Sequence, residues 1–238
     1  MKKAFLLLIL VVVVALFFGC DLSRDSESTE INWNFTFDSD EEGFEAIFSD
    51  YHDDGRSYES YRMEYGHREI PVVGKESMGL YIASMNRSDD IFMGFVKELD
   101  GLLVNQRYTF EVSFQLATDV DPSMGGIGGD PGGSVFVKGG VAIVKPESTL
   151  NSDEGMYRMN IDIGQQSSSG RDMIAIGNMA KPENMAGVAG FIFKEMGFTF
   201  QATTGSNGHA YLIIGTDSGY EGYTQYYLDN IEVKAIQR

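Results

Sequence analysis

Four short stretches of the 238-residue chain crowd amides, hydroxyls and carboxylates, two of them with tyrosine interleaved. They are SDY at Ser49–Tyr51, NRSDD at Asn86–Asp90, GQQSSSGRD at Gly164–Asp172 and GTDSGYEGY at Gly215–Tyr223. Planar polar side chains bond sugar hydroxyls, and aromatic rings stack on the C–H face of a sugar. Asp50, Tyr51, Asn86, Asp89, Asp90, Gln165, Gln166, Arg171, Asp172, Asp217, Tyr220 and Tyr223 are therefore candidates for a glycan site, provided the loops meet at one edge of the fold. Solvated turns have a similar composition, because such residues bond their own backbone or accept positive φ. That plainer reading stands beside the first.

No comparable constellation points to catalysis. His52, His67 and His209 have no metal-ligand spacing, and no Gly-x-Ser-x-Gly elbow is present. Asp38-Ser39-Asp40 starts like a calcium-binding helix–loop–helix motif but lacks the glycine at its sixth position. GGIGGDPGG, Gly125 to Gly133, is glycine-dense, yet it has no Gly-Lys-Ser/Thr ending and no strand-to-helix frame. It reads as a turn or a close backbone approach, not a phosphate cradle. With 35 Asp and Glu, a carboxylate pair for glycoside cleavage can always be drawn, so none is informative.

The same acids face only 18 Lys and Arg, for a formal net charge of −17. Nucleic acid is disfavoured as a partner, because binding it rests on cationic side chains neutralising phosphates. Cations are favoured, although most of the acids serve solubility.

The N-terminus implies a location. Lys2 and Lys3 precede 15 apolar residues, Ala4 to Phe18, too short a run for a spanning helix and suited to a signal peptide. Gly19-Cys20 follows, and Cys20 is the only cysteine. Small residue then cysteine resembles a bacterial lipobox, with Phe17 where leucine is usual. The expectation is a signal segment at 1–19, then a lipidated Cys20 and flexible tether through residue 30, then one domain at 31–238. Such a protein sits in the bacterial cell envelope, lipid-anchored on the extracytoplasmic side of a membrane.

The elements that must hold the candidate loops are strands. Helical periodicity is scarce after residue 30, and eleven strand-like runs alternate with turn signals. They are 31–37, 58–65, 78–84, 91–99, 107–117, 134–144, 157–163, 173–176, 190–200, 210–215 and 225–235. With 16 Phe and 12 Tyr to fill a core, this predicts an all-β jelly-roll β-sandwich of two antiparallel sheets and about 10–11 strands. Trp33, the lone tryptophan, falls in the first strand and is expected in the core.

Three stretches resemble a known family in the right order: FTFDSDEEGFEA at Phe35–Ala46, LDGLLVNQRYTFEVSFQLA at Leu99–Ala117, and YYLDNIEV at Tyr226–Val233. They resemble carbohydrate-binding-module-like (galactose-binding-domain-like) jelly rolls, and the whole chain resembles a bacterial lipoprotein that carries one. Residues 119–190 match nothing in it. The resemblance implies glycan or polysaccharide binding and a structural calcium tying first strand to last, with Asp38 and Asp229 as its carboxylate ligands. A metal would explain why Asp229 and Asn230 interrupt an alternating strand, and a capped bulge would explain it equally. Two alternatives remain open: a polysaccharide-active lyase or hydrolase, or a surface protein with a protein partner.

Overall fold

A computed structural model describes residues 29–122 and 124–238. Among them form β1 (Glu30–Phe35), β2 (Glu45–Ser49), β3 (Tyr51–His52), α1 (Ser57–Ser60), β4 (Glu64–Glu69), β5 (Met78–Met85), β6 (Ile91–Leu99) and β7 (Arg107–Thr118). Then follow β8 (Val135–Ala142), β9 (Ser148–Asn151), β10 (Met156–Met159), β11 (Met173–Asn178), β12 (Ile192–Thr203), β13 (Ala210–Ser218) and β14 (Tyr223–Gln237). The signal segment and Cys20 lie outside the described residues.

The fold is an all-β, jelly-roll β-sandwich. One sheet runs β12-β7-β14-β5-β4, with β1 also on β14, and the facing sheet runs β11-β8-β13-β6-β2. A third, small sheet, β3-β10-β9, stands beside them. All the strand pairs are antiparallel. Alternate residues of the two large sheets point inward and make one core, with Phe110, Phe114, Leu80, Ile214, Tyr226 and Val137 among its buried members. Each such side chain contributes about 1.5–3 kcal/mol on burial. Trp33 packs half-buried against this core.

β14 answers the question raised by Asp229 and Asn230. Its first half pairs with β5, Tyr223 to Leu228, and its second half pairs with β1, Ile231 to Ile236. At the change of partner the register to β7 shifts between Asp229 and Glu232, and Asn230 takes φ 45°. Asparagine tolerates that left-handed conformation. The extra residue lets Leu228 face the core and then Ile231, Val233 and Ala235 face it again. Without it, the period of two would turn those three to the other side.

The expected strand at 58–65 is instead α1 followed by β4, with Arg62 at φ 48° breaking the run. β2, β3 and β9 are strands the sequence pattern did not show; all are five residues or fewer. The unassigned region 119–190 includes a strap. Met159, Ile161 and Ile163 lie across the outer face of the second sheet and, with Ile47, Phe92, Met173 and Ile213, build a second buried cluster.

Candidate functional site

β14 starts beside Met85 and ends beside Tyr108, near Thr29, where the described chain begins. The loops at 49–51, 86–90 and 219–222 therefore gather at the end of the sandwich remote from chain entry, joined by the strap's 164–166 segment. Asn86 donates from Nδ2 to the carbonyls of Ser218 (2.7 Å) and Tyr220 (3.0 Å). Ser88 Oγ donates to the Asp50 carbonyl at 2.7 Å. Gln165 reaches Asp90 Oδ2 at 3.2 Å, and Gln166 Nε2 reaches the Asp89 carbonyl at 3.1 Å. The Gln166 N–H donates to Asp217 Oδ2 at 2.8 Å, and so does Lys138 Nζ, also at 2.8 Å.

Lys138 is fully buried and also donates to the Ile163 carbonyl at 2.8 Å, so it rivets the strap to β8 and β13. Around it three carboxyls are held above their ordinary range. Burial raises Asp217 against the pull of Lys138. Burial and then the neighbouring Asp217 push Asp90 up to about 6. Burial raises Asp50 too, opposed by Ser49 and by Arg158, whose Nη1 lies 2.7 Å from Asp50 Oδ1. Asp90 Oδ1 is buried with no donor among the described residues, and the neighbouring Asp217 disfavours its charge. Asp50, Asn86, Asp89, Asp90, Gln165, Gln166 and Asp217 are thus brought together, but mainly to hold loops to one another.

Four candidates point elsewhere. Arg171 and Asp172 pair with each other at 3.1 Å farther along the loop. Tyr220 packs half-buried against the main core, over Gly126. Tyr223 lies on the outer face of the first sheet, its hydroxyl 3.2 Å from that of Tyr81 and its ring under the Arg62 guanidinium at 4.4 Å. The glycine-dense loop makes its close approaches to the chain itself: a Cβ at Gly128 would meet the Gly219 carbonyl at 2.4 Å, and one at Gly132 would meet Ala180 at 2.7 Å.

Tyr51 leads to a different place. It is buried and stacks on Tyr157, rings 4.8 Å apart and 18° from parallel. The pair belongs to a groove of about 960 Å³ between β2, the edge of the second sheet, and the turn leading into β9. α1 contributes Tyr58, a residue 55 % exposed, whose ring meets Phe48 edge-on at 6.0 Å. Asp53, Arg56, Glu59, Glu147, Ser148 and Thr149 supply polar groups. An exposed ring beside such groups can stack on a sugar and bond its hydroxyls. Tyr58 and Tyr157 were missed as site residues because each read as the start of a strand. The available signal was YHDDGRSY, two tyrosines flanking an Asp-Asp-Gly turn.

Asp38 and Asp229 are neighbours. Asp229 is 2 % exposed, raised by burial and slightly by the Asp38 charge, and its Oδ1 accepts the Asn230 N–H at 2.7 Å. Asp38 accepts from Thr36 Oγ1 at 2.8 Å. Among the described residues no cluster of three or more His, Cys, Asp or Glu forms a metal centre. A cation here would draw on these two carboxylates and on neutral oxygens such as the buried Ser77 hydroxyl beside Asp229. The donor chemistry fits calcium, and the capped bulge by itself also accounts for Asp229.

No family model matches the chain, and neither does any curated protein. Solved structures with a similar course of chain include the xylanase 10B of Clostridium thermocellum, its family 22 carbohydrate-binding and catalytic modules bound to xylohexaose. That likeness has 14 % identity and TM-score 0.40 over 86 % of this chain, which spans 28 % of that one. Another is the xylan-binding family 22 module of Paenibacillus barcinonensis, at 10 % identity and TM-score 0.39, covering 87 % of this chain and 94 % of that one. A family 61 module in complex with β-1,4-galactotriose has 7 % identity and TM-score 0.37, covering 83 % and 92 %.

Proposed function

We propose that the protein is a glycan-binding protein of the bacterial cell envelope, anchored outside a membrane by lipid on Cys20, with its ligand in the groove between β2 and β9. One observation carries the ligand class: the exposed Tyr58 ring beside the Tyr51–Tyr157 stack, among hydroxyls and carboxylates. Sugar rings on aromatic faces gain dispersion and area burial that a purely polar cleft lacks. The groove lies toward the end away from chain entry, so a tether at residues 20–30 would leave it facing outward. Titration of the purified chain against a panel of neutral, amine-bearing and acidic oligosaccharides tests this. Saturable binding that Tyr58→Ala weakens supports it, and absence of binding across the panel removes it. Membrane-fraction mass spectrometry of wild type and Cys20→Ser tests the anchor.

A structural calcium at Asp38 and Asp229 is a second, separable reading, favoured by the buried carboxylate with a second carboxylate next to it. Calcium would pin the β1–β2 turn to β14, using carbonyl and hydroxyl oxygens for the rest of its six to eight ligands.

A further inference from the structure

Resting on the glycan reading of the groove, we infer that its ligand carries free amino groups, as a polymer of glucosamine does. The groove is walled by tyrosines, and its charges are not balanced. Glu45, Asp53, Glu59 and Glu147 face only Arg56 and Lys145. Lys145 is already taken by Glu45, at 2.8 Å. Arg158, next to Tyr157, is taken by Asp50 at 2.7 Å and Glu154 at 2.8 Å. Asp53, Glu59 and Glu147 are exposed and make no ion pair among the described residues. Three carboxylates outside any ion pair thus stand against one guanidinium, although Glu147 adds its charge to that of Glu45 on Lys145 and Asp53 accepts the Gly55 N–H.

They are also spread out. Glu59 is on α1, Asp53 follows β3, and Glu147 precedes β9, at the other edge of the three-stranded sheet from β3. That arrangement suits cationic groups repeated along a chain better than one ion. Ser148, half-buried, lines the groove, its hydroxyl turned out of solvent and without a protein partner among the described residues. The net charge of −17 adds attraction of the same sign and repels uronate or sulfated chains. A neutral glycan gains the tyrosine contacts and hydroxyl hydrogen bonds but not the charge attraction.

The test compares three oligosaccharides on the purified chain by calorimetry: a glucosamine hexamer, its N-acetylated counterpart and a galacturonate hexamer. It is run at about pH 5.5, where the amines are protonated, in about 50 mM and about 0.5 M salt. The amine hexamer is expected to bind at least about tenfold tighter than the neutral one in low salt, and to lose much of that margin in high salt. Asp53→Asn/Glu59→Gln/Glu147→Gln should abolish the margin, whereas Asp100→Asn/Glu111→Gln/Glu232→Gln, removing equal charge elsewhere, should keep it. Tyr58→Ala should weaken both the amine and the neutral hexamer. If the remote variant loses as much, or Tyr58→Ala leaves the amine hexamer unaffected, the attraction is general and the inference is overturned. Equal or tighter binding of the neutral or acidic hexamer overturns it while leaving a glycan-binding groove. If no hexamer binds, both readings fall.

Discussion

Lys138 Nζ lies 2.8 Å from Asp217 Oδ2, and both side chains are out of water, at 0 % and 3 % exposure. The pair sits where the strap crosses β8 and β13, and the ammonium also bonds the Ile163 carbonyl. Breaking a buried pair leaves the other charge stranded, which costs about 3–5 kcal/mol, whereas replacing both ends with packed apolar groups is often neutral. Lys138→Met alone should therefore destabilise strongly in urea melts. Lys138→Met with Asp217→Leu should recover part of the loss, short of the Gln166 N–H left without its acceptor. A double variant no more stable than the single one would show that the pair is not the fastening.

That rivet shows where sequence stops being legible. In FVKGGVAIV, Lys138 occupies an outward position of an alternating strand and reads as solvent-facing. It is buried because a segment more than twenty residues later folds back over it, and no local pattern signals that. The sandwich itself was readable, because long strands such as β7 and β12 repeat inward and outward residues over many positions. The groove was not: β2, β3 and β9 are too short to show a period, and Tyr58 lies on a single helical turn. The interruption at Asp229–Asn230 was visible, but its cause, a change of neighbour from β5 to β1, exists only in three dimensions.

The carboxyls near Lys138 set a pH dependence. Asp90 is raised to about 6 from an unfolded value near 3.8, by burial first and Asp217 second. A carboxyl raised on folding binds its proton more tightly in the native state. The sign is therefore a stability that falls as pH rises from about 4 to about 6 and is flat above. Asp50 and Asp217 are raised as well and act in the same direction. Because Asp90 is only half buried, solvent screening holds its share to about 1–2 kcal/mol. Asp90→Asn should flatten that part of the melting-temperature profile. A carboxyl titration of Asp90 with its midpoint near 4 would contradict the cause.

Asn230 is predicted to be a conformational requirement of β14. Its φ of 45° suits glycine and asparagine, so Asn230→Gly should be nearly neutral, whereas Asn230→Val should cost about 1–3 kcal/mol. Deleting Asn230 should be far worse, because Ile231, Val233 and Ala235 would be driven out of the core together. Thermal melts of the three variants check the order. A deletion variant that melts like wild type would mean the strand slips without penalty.

Calcium at Asp229 is separable from the bulge. A ligand that binds only the folded state stabilises by RT ln(1 + [L]/Kd), about 2.7 kcal/mol at a hundredfold excess over Kd. If Asp38 and Asp229 hold calcium, the melt should rise with added calcium and fall with chelator, and Asp229→Asn should erase the difference. The amide can still accept the Asn230 N–H, so the bulge would survive the substitution and the chelated proteins should melt alike. A melt indifferent to both calcium and chelator would leave Asp229 as the cap of the bulge: a buried carboxylate held by the Asn230 N–H, beside the Ser77 hydroxyl, where β14 trades β5 for β1.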